Sequence, residues 1–140
     1  MRAIIESQDS FRQDIRTLSE KEQNRVMNCI TELPESFQED ESAFYASRLN
    51  RPKKIRVGDE YELSLYVLEV DNGINVLLTF DEDPIFEKLY ITLHKLVQQN
   101  LTDAYFSVAE ALTRELKREF GKNGGEEQWR RSKSFLTNSV

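Results

Sequence analysis

A chain of 140 residues with 39% hydrophobic and 31% charged side chains has the make-up of one globular domain, not of a disordered segment, and no apolar run approaches the roughly 20 residues that cross a bilayer. The formal charge of −6 argues against nucleic-acid binding by the surface as a whole, and a single cysteine, Cys29, excludes an intramolecular disulfide and a thiolate-rich metal centre. The opening residues lack the apolar core of a secretion signal, which makes a cytoplasmic protein the expectation.

Ala3 to Glu6 is a short β-branched run expected as an edge or joining strand, and Asp9 and Ser10 behind it are suitable helix starts. Phe11, Ile15 and Leu18 then recur at spacings of four and three, which predicts a short first helix with one apolar face. Ser19 followed by Glu22 has the form of a capping box, so a second helix is expected from Glu20. Val26, Ile30 and Leu33 make its apolar stripe, widened by Met27 and Cys29, and Pro34 predicts its end because the residue before a proline avoids the α region. Together the two helices read as an αα-hairpin. Residues 35–50 are polar and acidic and predict a loop with at most one helical turn; Glu39, Asp40 and Glu41 within it read as a solvated run. Arg51, Lys53, Lys54 and Arg56 follow as the densest basic cluster of the body, ending at a Gly58-Asp59 turn signal.

Leu63, Leu65 and Val67 alternate with Glu62, Ser64 and Tyr66. After Asn72-Gly73, Ile74, Val76, Leu78 and Phe80 alternate with Asn75, Leu77 and Thr79, which predicts a β-hairpin turning at the glycine. Asp81, Glu82 and Asp83 before Pro84 read as a polar turn in preference to a metal site, since magnesium or calcium needs ligands converging from more than one turn. A third strand is expected from the alternation of Leu89, Ile91 and Leu93, and the same period sets His94, the one histidine, on the outer face with Tyr90. Asn100, Thr102 and Asp103 can cap a last helix carrying Leu101, Tyr105, Val108, Leu112 and Leu116, expected to lie across the sheet and to stop at Phe120 before Gly121. The organisation predicted is therefore one α+β domain over residues 1–120 and a flexible tail over 121–140, with the C-terminal end from residue 114 onward locally cationic. No Walker-type phosphate loop, GxSxG or zinc spacing is present, and no cofactor or metal is expected.

The order strand, helical hairpin, basic segment, β-hairpin, third strand and helix resembles the RelE/ParE toxin family of bacterial toxin–antitoxin systems. FRQDIRTLSEKEQNRVMNCITEL at 11–33 is similar to that family's opening helical pair, and KKIRVGDEYELSLYVLEVDNGINVLLTF at 53–80 to its basic strand, turn and hairpin. The resemblance implies a RelE-like fold: a small, largely antiparallel sheet with the N-terminal helical hairpin on one face and the C-terminal helix near its other end. It also implies a toxin-like component that acts on translation by ribosome-dependent cleavage of messenger RNA, held by a protein antitoxin in an apolar groove, with the ribosome or mRNA as further partners. The alternative is a non-catalytic protein-binding module that retains the fold.

Family members that cut mRNA lean on basic side chains presented by the sheet, and Lys53, Lys54 and Arg56 match that segment position by position. His94 has the ordinary pKa for general acid or base work near neutral pH, although a lone strand histidine is more often structural. Two stretches depart from the family. Glu62 follows Tyr61 where an arginine is typical, and Asp81, Glu82 and Asp83 stand where the second strand usually ends in cations. Carboxylates there oppose the field that would stabilise a pentavalent phosphorane.

Overall fold

The computed structural model runs in the order β1 (Arg2–Ser7), α1 (Asp9–Ile15), α2 (Glu20–Glu39), β2 (Asn50–Val57), β3 (Tyr61–Asp71), β4 (Ile74–Asp83), β5 (Lys88–Val97) and α3 (Leu101–Asn123). It describes the backbone of residues 2–39, 50–57, 61–71 and 73–123, and the side chains of 2–35, 63–71 and 73–118. The expected Gly58-Asp59 turn, the expected loop over 40–49 and residues 124–140 of the expected tail lie outside the described residues.

The strands form one sheet in the order β1-β5-β4-β3-β2, with β1 parallel to β5 and every other pair antiparallel. The class is therefore α+β, with a largely antiparallel sheet. At its centre a two-residue connection sets Asp71 opposite Ile74. Gly73 in that turn has φ +82°, a region glycine enters without the Cβ penalty.

Both faces of the sheet are covered, by different helices. Phe11 and Leu18, with Val26, Ile30 and Leu33 of α2, pack on Leu68, Val76, Leu78, Leu89, Ile91 and Leu93. On the opposite face Tyr105, Ala109, Leu112 and Leu116 of α3 pack on Leu63, Leu65, Val67, Leu77 and Val97. The register explains the division. Val67 faces Leu77 and Leu65 faces Thr79, while Leu68 faces Val76 and Tyr66 faces Leu78, so the apolar sets of β3 and β4 belong to opposite faces. Leu77 and Thr79, which simple alternation sets outside, are buried under α3's face of the sheet.

The capping box forms as the sequence predicts: Ser19 N–H donates to Glu22 Oε1 at 3.1 Å and Glu22 N–H to Ser19 Oγ at 3.2 Å. Three expectations are corrected. Pro34 lies inside α2, which continues to Glu39, so part of the expected loop is helix. A proline there forfeits one backbone hydrogen bond, and with Leu33 fully buried against the sheet, packing overrides that local cost. Met27 is 43% exposed and does not widen the apolar stripe. Finally, α3 runs through Gly121 to Asn123, past the expected stop at Phe120, since glycine permits a helix end without requiring one.

Candidate functional site

Lys53, Lys54 and Arg56 occupy β2, an edge strand, opposite Leu65, Ser64 and Glu62 of β3. Glu62 is thus the residue directly across the ladder from Arg56, one strand spacing of about 4.8 Å away. Glu62 therefore sits beside the basic segment itself. At the far end of β4, Asp83 works as a turn device: its Oδ1 accepts hydrogen bonds from Ile85 N–H at 3.1 Å and Phe86 N–H at 3.3 Å. Asp81 and Glu82 pair in the ladder with Tyr90 and Leu89 of β5.

His94 stands three inter-strand steps from β2, roughly 14 Å at about 4.8 Å per step, so it does not join the three cations. Nor is it on an exposed outer face. Leu77 pairs with Lys95 and Leu78 with Leu93, which leaves His94 as the extra residue of a β-bulge. The side chain is 7% exposed and shares a 2.9 Å hydrogen bond between Nε2 and Thr79 Oγ1. Burial pushes its pKa down to about 4, because the imidazolium would lose its hydration. At neutral pH the ring is uncharged and enclosed, which removes it as a proton donor to a substrate.

The ladder instead aligns one continuous row across all five strands: Lys53, Leu65, Thr79, Thr92 and Glu6. Thr79 and Thr92, with His94, are the buried polar residues among those described. Thr92 is 1% exposed and its hydroxyl has no hydrogen-bond partner. Glu6, its partner in the parallel ladder, likewise has one buried carboxylate oxygen, Oε2, with no partner. Burial raises the Glu6 pKa, since no donor offsets the lost water. Sequence reading misses this row, although two threonines interrupting aliphatic alternation are its visible trace.

Beside the row, the Tyr105 hydroxyl donates to the Leu65 carbonyl and ties α3 to the sheet. Val67, Leu101, Thr102, Tyr105 and Phe106 line an apolar cavity of about 210 Å³ at the start of that helix, and Phe106 is 53% exposed. Among the described residues no group of three or more His, Cys, Asp or Glu converges as a metal site, and no helix is long and apolar enough to cross a membrane.

No family model, curated protein or solved structure matches the chain.

Proposed function

We propose that the chain is a RelE/ParE-like, toxin-type protein that acts on translation, with Lys53, Lys54 and Arg56 as its contacts to ribosome-bound messenger RNA. The observation that carries this reading is the clustering of the three cations on one edge strand of a sheet backed by an N-terminal helical hairpin. An edge strand is open to a large polyanion on its outer side, and each phosphate it neutralises releases a counterion. The inhibitory partner is a protein whose apolar side chains enter the cavity beside Phe106. Induced expression of the chain alone arrests bacterial growth under this reading, and replacing Lys53, Lys54 and Arg56 together by alanine relieves the arrest without loss of folded protein.

A second reading is favoured by the burial of His94 and by the position of Glu62 across from Arg56: a protein-binding module of the same fold without ribonuclease chemistry. Glu62→Arg separates the two. If expression of the natural chain is harmless and the arginine variant becomes toxic, the scaffold is competent and charge alone silences it. If neither is toxic, the binding-module reading stands.

A further inference from the structure

The two edges of the sheet are built differently. β2 carries Pro52, Lys53, Lys54 and Arg56 and a register shift between Asn50 and Lys53, all of which discourage another strand from pairing with it. β1 has no proline, no lysine and no register shift, and its two charged residues, Arg2 and Glu6, stand near opposite ends. Its sequence is RAIIES, its register with β5 is unbroken from Arg2 to Ser7, and Ile5 is 38% exposed.

The hydrogen bonds fix which backbone groups of β1 are spoken for. Arg2 N–H donates to the Glu87 carbonyl at 2.8 Å and Gln8 N–H to the Leu93 carbonyl at 2.9 Å, so the even-numbered residues turn their amides toward β5. Strand alternation then points the amides and carbonyls of Ala3, Ile5 and Ser7 outward. The Ser7 carbonyl is taken by the Arg12 guanidinium. Those of Ala3 and Ile5 have no partner among the described residues.

We propose that the outer edge of β1 pairs antiparallel with β1 of a second copy of this chain, about a two-fold axis between the two Ile4 residues, extending the sheet across a dimer. In that register Ala3 and Ile5 exchange their free backbone hydrogen bonds with Ile5 and Ala3 of the second copy. The intervening positions are non-hydrogen-bonded pairs, where side chains approach most closely. They set Ile4 on Ile4, and Arg2 opposite Glu6 in both halves.

The charges select this register over its neighbour. Moving the axis to Ile5 would again match the outward-pointing residues, but it would set Glu6 opposite Ile4 and leave Arg2 opposite Gln8. Arg2 makes no ion pair among the described residues, and Glu6 has a carboxylate oxygen without a hydrogen-bond donor. The self-complementary register gives each the partner that the single chain does not supply.

Sedimentation velocity of the full chain over a wide concentration range tests the proposal. The expected result is a reversible dimer of the 16.4 kDa chain. Arg2→Glu or Glu6→Arg alone sets like charges opposite each other at both ends, and either weakens dimerisation by at least about tenfold. An equimolar mixture of the two variants restores it, because both carboxylates of the Arg2→Glu chain then face arginines of the Glu6→Arg chain. Ile5→Pro removes an outward amide and leaves the β1–β5 bonds in place, so it also yields monomer, and urea unfolding verifies that each variant is folded. A chain that stays monomeric at every concentration overturns the proposal. So does a dimer that none of these substitutions weakens, or a charge-swapped mixture that associates no better than its components.

Discussion

The burial of His94 makes the fold's stability depend on pH in a way that one substitution isolates. The folded pKa is about 4 against an ordinary 6.5. A depressed value means that the unfolded chain binds the proton first, so stability rises with pH across the window between the two values. Above about pH 6.5 the ring is neutral in both states and the full stability is present; as pH falls toward 4 the unfolded state is progressively favoured. At about 1.4 kcal/mol per pH unit, the separation corresponds to roughly 3 kcal/mol, large beside the 5–15 kcal/mol typical of a domain. His94→Gln keeps an amide able to hydrogen-bond Thr79 and removes the titrating ring. Urea unfolding at a series of pH values should show the natural chain losing about 3 kcal/mol more than the variant between neutral pH and about pH 4, with carboxylates cancelling in the difference. Equal pH slopes for the two proteins would refute an enclosed, neutral His94.

Other expected outcomes follow from packing and backbone geometry. Leu78→Ala opens a cavity between the sheet and the helical hairpin, where Leu78 has no solvent exposure, and should cost about 2–4 kcal/mol in urea unfolding. Gly73→Ala should cost about 1–2 kcal/mol by the same measurement. Nothing lies within 4 Å of the added Cβ, so the cost comes from holding alanine at φ +82° and not from a clash.

Local devices are legible in the sequence, and tertiary relationships are not. The Ser19–Glu22 box, the turn at Gly73 and the alternation of Leu63 to Val67 each state their structure within a few residues, and each forms as read. Pro34 and Gly121 mislead because they carry a local preference that a packed or continuing helix outweighs. Alternation misplaces His94 for a different reason. A period-two reading carries no signal for a bulge, and the extra residue in β5 depends on how β4 pairs with it. The same dependence hides Glu6, Thr79 and Thr92, which lie more than seventy positions apart at the extremes and meet only because β1 inserts beside β5. The basic segment, by contrast, is visible as a composition and lands intact on one edge strand.

Primer extension on messenger RNA bound to programmed ribosomes tests the proposed function most directly. The natural chain should produce discrete cleavage of the ribosome-bound messenger, lost on raising the salt concentration and absent for the Lys53→Ala, Lys54→Ala, Arg56→Ala triple variant. His94→Gln should leave that cleavage intact, since the ring is enclosed and neutral. Messenger left whole by the natural chain at every protein concentration, or cleavage that the triple variant retains, would contradict the account.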